Sequence, residues 1–339
     1  MKKIALIIDK DNWAFSNTAR ILQKELAKYY DFTIIPLRYL TGNLAQLFLL
    51  VRDYDLIHFL WREPINNFTQ PFFEEYTYLL GSTKEQFMHD YVDFNKISTG
   101  VYDHLFLNVN YNITEYLFNN ISNYYVSSNK LLDIYNNLNI KYKPKAVITD
   151  GVDLEKFFPN NLERFNNIAD REVIIGWSGN SKYNEEGKDI KGLTTILIPA
   201  IEELQQEGYK IKTNFVDSSV KMFPHEEMPA YYNSIDVLVC SSISEGTPNP
   251  VLEAMACGVP IISTNVGIVE DALGVKQKKY ILEERSIEGM KEKIKKLLEN
   301  PSDFEMLSKE NLKEIKKWSW KEKAKDFKEF FDACLEKEV

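Results

Sequence analysis

Cysteine is scarce in this chain, and what there is of it is scattered. Cys240, Cys257 and Cys334 share no metal-binding spacing, so the sequence holds neither a zinc site nor a disulfide framework. Reduced thiols in a cytosolic protein are the simplest expectation. Long apolar runs are missing too: no segment reaches the ~20 residues of a membrane span. Met1-Lys-Lys-Ile-Ala-Leu-Ile-Ile8 carries the charge of a leader, but its apolar run stops at Asp9, too short for the core of a signal peptide and suited to a first strand. Basic residues are outnumbered: 41 Lys and Arg against 50 Asp and Glu give a net charge of −9, which argues against nucleic acid as a partner. No Ser-His-Asp set, no Cys-His pair and no internal repeat appears. Asp9-Lys-Asp11 is a pair of carboxylates of the kind that can hold a metal, but its place directly after the first strand is wrong for that role, and no metal is expected.

At 339 residues the chain exceeds the ~250–300 at which single cores stop growing, so two domains are the expectation. Hydrophobic content of 44% with 27% charged residues is that of an ordinary globular protein. The halves differ. Residues 1–150 hold 15 Lys and Arg, 16 Asp and Glu, and 27 of the 44 aromatics; the remainder holds 26 and 34 of the charges and so nearly all the acid excess. An aromatic-rich, neutral first half suits either recognition of a sugar or lipid-linked acceptor, or a large aromatic core, with nothing in composition to choose between them.

Apolar runs alternate with helical patterns, the signature of parallel βαβ units. Strands are expected at Lys3–Ile8, Phe32–Pro36, Asp55–Leu60, Lys96–Val101, Tyr124–Ser127 and Ala146–Thr149, interleaved with helices such as Thr18–Lys28 and Asn129–Leu138. A second series follows: Val173–Trp177, helix Thr194–Glu207, Lys210–Val216, helix Glu226–Asn233, Val237–Cys240 and Pro260–Ser263. Charged amphipathic helices at Ser286–Glu299, Pro301–Lys316 and Lys321–Leu335 end the chain.

The most informative stretch is Glu245-Gly-Thr-Pro-Asn-Pro-Val-Leu-Glu-Ala-Met-Ala-Cys-Gly-Val-Pro260. It leaves a buried-strand pattern by a short polar loop and enters a helix, with Asn249 expected as N-cap, Pro250 at the first helical position and Gly258 just past the end. A helix N-terminus at the carboxyl end of a parallel strand is an anion seat. Glu245 and Glu253 flank it, acceptor-only side chains that suit a ligand carrying both phosphate and sugar hydroxyls.

This segment resembles the E-x7-E signature of glycosyltransferase family 4, whose members are retaining enzymes. The likeness extends from Met228-Pro-Ala-Tyr-Tyr-Asn-Ser-Ile-Asp236 to Ile261-Ile-Ser-Thr-Asn-Val-Gly267. It implies an α/β, GT-B fold: two Rossmann-like, doubly wound parallel-sheet domains facing across a cleft, with the last helix crossing back to the first domain. The boundaries expected are 1–155 plus 321–339 for an acceptor-side domain and 156–320 for a nucleotide-sugar domain. Asp150-Gly-Val-Asp-Leu-Glu-Lys-Phe-Phe-Pro159 is similar to the family's inter-domain segment, with Asp150 in place of the usual Asn.

Site roles follow from the resemblance. Glu253 would take the ribose hydroxyls, Glu245 would contact the transferred sugar, and Gly246, Thr247, Pro248, Asn249 and Pro250 would surround the phosphates. Gly176-Trp-Ser-Gly-Asn-Ser-Lys182 and Lys191-Gly192 look like the family's two donor loops, which makes Ser178, Gly179, Asn180, Lys182 and Lys191 donor-binding candidates. The second loop matches at Lys191; in the first, Trp177 and Ser178 stand where the family has arginine, and Lys182 or Lys188 is the nearest substitute. His104, in Thr99-Gly-Val-Tyr-Asp-His104, is similar to a cleft histidine that binds the sugar or positions its leaving group. The catalytic set implied is therefore His104, Glu245 and Lys191. His58, Asn12 and Trp13 are acceptor-side candidates; His89 and His225 are expected at the surface or in loops.

The function implied is transfer of a hexose-like sugar, with retention and without a metal or cofactor, from a nucleotide diphosphate sugar to a saccharide or lipid-linked acceptor, in surface glycan or glycoconjugate synthesis. A cytoplasmic place is expected, and a weak contact at the inner face of the membrane stays open, although the first half shows no evident basic helix that would favour it. The missing arginine favours one alternative, a non-catalytic sugar-nucleotide-binding partner of another transferase; an epimerase of the same fold is a second.

Overall fold

The computed structural model describes residues 1–11, 14–41, 43–104, 111–185 and 187–336. The chain divides into two compact units, Met1–Asp150 with Trp320–Val339, and Gly151–Ser319. Each is a parallel α/β layer structure. Among the described residues no helix is long and apolar enough to cross a membrane.

The first unit is a six-stranded sheet of β1 (Lys2–Ile8), β2 (Tyr30–Pro36), β3 (Leu56–Phe59), β4 (Ile97–Val101), β5 (Asn123–Val126) and β6 (Ala146–Val147), ordered β2-β1-β3-β4-β5-β6. Every pairing is parallel, and β1 sits between β2 and β3 with Ile4 opposite both Phe32 and Leu56. The continuous apolar run of β1 is what a strand covered on both faces requires. Side chains alternate across the sheet, and the two faces build separate cores. Ala5, Ile7, Ile57 and Phe59 pack on one side against Leu44 and Phe48 of helix Leu44–Leu50, Phe73 of helix Pro71–Leu79, and Leu131 and Tyr135 of helix Asn129–Asn137. Ile4, Leu6, Ile8 and Leu56 pack on the other against Ala19, Leu22 and Leu26 of helix Ala14–Leu26 and Phe327, Phe330 and Phe331 of the last helix, Trp320–Leu335. The Tyr30 hydroxyl, donating to Asp332 Oδ1 at 2.6 Å, ties that helix to the sheet. The aromatic excess of the first half thus goes largely to packing: Phe48, Phe59, Phe68, Phe73, Phe87, Tyr124, Tyr125 and Tyr135 are all fully buried.

His58 was a candidate for acceptor contact; the structure places it in this core instead. Flanked by Ile57 and Phe59 on one face, it must point to the other, where it is fully buried beside Tyr125, Phe330 and Phe331. Its Nδ1 lies 2.9 Å from Ser98 Oγ, and burial lowers its pKa to about 3.

The second unit holds β7 (Val173–Gly179), a small antiparallel hairpin of β8 (Asn184–Glu185) and β9 (Lys188–Asp189), then β10 (Ile211–Asp217), β11 (Val237–Cys240), β12 (Ile261–Thr264) and β13 (Ile281–Leu282). The main sheet is parallel and ordered β10-β7-β11-β12-β13. The chain goes from β7 outward to β10, then returns to the other side of β7 as β11. Strand order therefore reverses between β7 and β11, and in open parallel sheets ligands bind beyond the carboxyl ends of the strands at such a reversal. Alternation again sorts the faces. Ile175, Trp177, Val237, Val239 and Ile262 pack on one side with helices Ile198–Gln206 and Ile287–Leu298, while Leu238 and Ile261 pack on the other with helix Asn249–Ala256.

Candidate functional site

The reversal between β7 and β11 opens into a pocket of about 190 Å³. Trp177, Ser178 and Gly179 line it from the end of β7, Leu238 to Cys240 from the end of β11, and Thr247, Pro248, Asn249 and Pro250 from the start of the following helix. Lys191, Ser242 and Glu245 complete it.

The helix start differs by one residue from the expectation. Asn249 is the first helical residue and Pro250 the second; Pro248 occupies the cap position with φ −72° and ψ 85°. The reason is that Val251 donates its N–H to the Pro248 carbonyl at 2.8 Å and closes the first turn early. Among the described residues Asn249 therefore caps nothing, and its buried Oδ1 has no hydrogen-bond partner. The far end is as expected: Gly258 N–H donates to Met255 O at 3.0 Å and Val259 N–H to Ala254 O at 2.9 Å, the paired bonds that stop a helix before Pro260.

Glu245 is held inside the pocket by two donors on one oxygen. Lys191 Nζ lies 2.5 Å from its Oε1, and Ser242 Oγ donates to the same atom at 2.7 Å. Burial works against the Lys191 charge, but the Glu245 carboxylate outweighs it and raises the lysine pKa. The nearby Cys240 thiol is pushed up by burial and, second, by Glu245. A phosphate entering here would compete with Glu245 for the ammonium group.

Lys191 is set by the backbone around it. Asp189 accepts from the N–H of Gly192, Thr194 and Thr195 and from both threonine hydroxyls, and so caps the helical turn that follows. Burial pushes the Asp189 carboxyl up, but these donors outweigh it and hold it below the ordinary value. Gly192 then turns at φ +69°, where a Cβ would sit 2.3 Å from the Ser241 carbonyl oxygen. Ser241 Oγ donates to Lys191 O, and Arg285 donates to Ser241 O and Asp189 O, all at 2.8 Å. Arg285, which no motif marked, thus pins the strand end and the lysine loop together. Gly267 does the same for the acid loop: at φ +48° it lies against Gly246, whose carbonyl oxygen would be 2.0 Å from a Cβ there.

Glu253 lies one turn into the helix, mostly buried, with both oxygens engaged. Oε1 is 2.9 Å from His225 Nε2, and Oε2 accepts from the Tyr232 hydroxyl at 2.7 Å. His225, expected at the surface or in a loop, also lies 2.8 Å from Lys156 Nζ through Nδ1. The link was invisible because its members are 28 and 69 positions from His225.

The remaining candidates divide. Ser178 and Gly179 line the pocket together with Trp177, whose side chain is otherwise buried in the core at 2% exposure. Asn180 Oδ1 accepts from Lys182 N–H at 3.0 Å, which folds the loop back on itself, and Asp217 holds Ser181. Lys182 and Lys188 are exposed and line no part of the pocket, so among the described residues Lys191 is the one cation lining it. Gly246 shapes the loop without lining the pocket. His104 belongs to the first unit, where it is half-buried with no partner for Nδ1 among the described residues, next to Asp103, whose Oδ1 accepts from the buried Arg62 at 2.7 Å. Asn12 and Trp13 lie outside the described residues. Among the described residues no group of three or more His, Cys, Asp and Glu is placed to hold a metal ion.

A family model described as glycosyl transferases group 1 matches residues 200–317, a span that includes His225, Tyr232, Glu245 and Glu253. The chain is related to the glycosyl transferases group 1 family. Among curated proteins it is 28% identical over 177 residues to the capsular polysaccharide biosynthesis glycosyltransferase CapM of Staphylococcus aureus, covering 45% of each chain. It is 29% identical over 97 residues to O-antigen chain mannosyltransferase B of Escherichia coli, covering 29% of this chain and 25% of that protein. The matched stretch thus spans about half or less of these two relatives. In fold the agreement runs nearly end to end. Sucrose-phosphate synthase from Thermosynechococcus elongatus superposes with a TM-score of 0.67 at 15% identity, over 98% of this chain and 99% of that one. Anabaena Alr3699/HepE in complex with UDP and glucose gives 0.67 at 12% identity, over 98% and 100%. This group 1 relative therefore has the two-domain GT-B fold.

Proposed function

We propose that the chain is a retaining glycosyltransferase of family 4, working without a metal ion, that moves a hexose-like sugar from a nucleotide diphosphate sugar to a saccharide or lipid-linked acceptor in surface glycan synthesis. The observation that carries this reading is the pocket at the β7–β11 reversal, where Lys191, Glu245 and an uncapped helix start meet, with Glu253 one turn further on. The names of the curated relatives and the UDP and glucose bound to the Anabaena protein agree with it.

In this proposal the diphosphate rests against the helix start and Lys191, whose ammonium and backbone dipoles meet the charge that grows as the anomeric C–O bond breaks. The acceptor oxygen bonds to the anomeric carbon from the same face, and its proton passes to a β-phosphate oxygen. Glu245, released from Lys191, faces the transferred sugar, and Glu253 accepts from the ribose hydroxyls. His104 is proposed to bind the sugar or position its leaving group, and Asn12 and Trp13 to face the acceptor. The first unit would serve the acceptor and the second the nucleotide sugar.

Thermal unfolding with a panel of nucleoside diphosphates tests the donor seat. A ligand at 100 times its Kd stabilises by ~2.7 kcal/mol, and Glu253→Ala is expected to cut that stabilisation by about half or more. An unchanged response in that variant removes Glu253 from the ribose. One observation favours a second reading, a sugar-nucleotide-binding partner without turnover: Trp177 replaces a cation and leaves Lys191 the single positive side chain lining the described pocket. Product analysis after incubation with nucleotide sugars separates the two, since a transferase left without acceptor still hydrolyses its donor slowly.

A further inference from the structure

Lys156, His225, Glu253 and Tyr232 form a connected chain of polar side chains that does not itself line the pocket, and its chemistry fixes its own polarity. An ammonium group has only hydrogens to offer, so at 2.8 Å from Lys156 Nζ the His225 Nδ1 must be the acceptor and carry no proton. The ring proton is then on Nε2, which donates to Glu253 Oε1 at 2.9 Å. From the other side the Tyr232 hydroxyl donates to Oε2 at 2.7 Å. Burial, and next the Glu253 charge, push the Tyr232 pKa well up, which keeps that hydroxyl a donor. Each carboxylate oxygen accepts one internal donor and keeps lone-pair capacity for another, the number a vicinal diol requires.

The parts are held in place independently. Lys156 sits in a turn whose Asp153 accepts from the N–H of Glu155 and Lys156 at 2.9 and 3.2 Å, while Phe157 is buried with its ring 5.5 Å from that of His225 and 6.0 Å from that of Tyr232. His225 opens a short turn, and Tyr232 lies fully buried on the next helix, Met228–Asn233. An unanchored glutamate on a helix surface would sample several rotamers; this one is clamped at both oxygens.

We propose that Lys156 and His225 form a positioning relay that aims the Glu253 carboxylate at the ribose 2′- and 3′-hydroxyls of the donor, Lys156 acting by selecting the His225 tautomer. This rests on the reading of Glu253 given above. Neither residue touches the reacting atoms. Lys156 is the sixth residue of the second unit, so the relay lies wholly within that unit.

Selectivity between UDP or GDP and the matching 2′-deoxy nucleotide, measured by calorimetry on the full chain, tests the relay. A hydrogen bond to a charged acceptor makes the wild-type preference for the ribose form roughly tenfold or more. His225→Leu is expected to reduce that preference to about twofold, with affinity for the deoxy form unchanged. His225→Gln, whose amide N–H can reach the Nε2 position while its oxygen faces Lys156, is expected to keep most of it. Lys156→Met is expected to lower the preference and Lys156→Arg to restore it. A purely structural role would weaken both nucleotides alike and show no rescue, which overturns the relay. If His225→Leu keeps full selectivity while Glu253→Ala loses it, the relay alone fails. If the wild type binds neither nucleotide, or does not tell ribose from deoxyribose, the Glu253 reading fails and takes the relay with it.

Discussion

Single side chains in this protein are placed by what surrounds them rather than by their own type. His58 is the clearest case: strand alternation drives it into an aromatic core, and burial lowers its pKa from the ordinary 6.5 to about 3. Between those values the unfolded chain holds a proton that the folded chain does not, so folding is favoured at higher pH. The contribution is complete above about pH 6.5 and is lost as pH falls toward 3, with a slope of about 1.4 kcal/mol per pH unit. Urea unfolding from pH 4.5 to 6.5 is expected to show this slope in the wild type and to lose one proton's worth of it in His58→Leu; equal slopes would mean the imidazole titrates freely. Gly267 is placed just as strictly. With φ +48° and the Gly246 carbonyl in the space a Cβ would fill, Gly267→Ala is expected to cost roughly 1–3 kcal/mol in urea unfolding and to weaken nucleotide binding by shifting the Glu245 loop. Wild-type behaviour in both measurements would show that the loop does not depend on this approach.

Elements were the most legible level. Continuous apolar runs such as Ile4–Ile8 and Val237–Cys240 read as strands because covered parallel sheets demand them, and the structure has β1 and β11 there. The alternation of strands with helices gave the α/β class, and the Glu245–Pro260 stretch its helix, its end at Gly258 and its place after a strand. What the sequence hid is what depends on distant partners or on competition within a turn. Prolines on both sides of Asn249 left two ways to start the helix, and the Pro248 carbonyl decided between them. His58 looked like a strand-end residue, and only the register against β4 and the last helix shows what lies on its face. The His225 bonds to Lys156 and Glu253, and the clamp of Arg285 on two carbonyls, join residues tens of positions apart with no motif to announce them.

The whole chain is organised by where it enters and leaves its units. Residues 151–319 are an uninterrupted stretch, and among the described residues its two core clusters draw on none outside it. The first unit, by contrast, closes one face of its sheet with Phe327, Phe330 and Phe331 from the far end of the chain. A protein cut to 151–319 is accordingly expected to melt as one cooperative transition in circular dichroism. A protein cut to 1–150 is expected not to, and adding the 320–336 peptide should restore a transition. A cooperative melt of 1–150 by itself would show that its sheet needs no cover from the last helix.

That return of the chain to its starting unit sets an order on biosynthesis. The segment that makes the second unit leaves the ribosome whole while the first still lacks a wall of its core, so the part made later in sequence can finish folding earlier in time. Until the final helix emerges, the exposed sheet face is the portion of the nascent protein most in need of a chaperone.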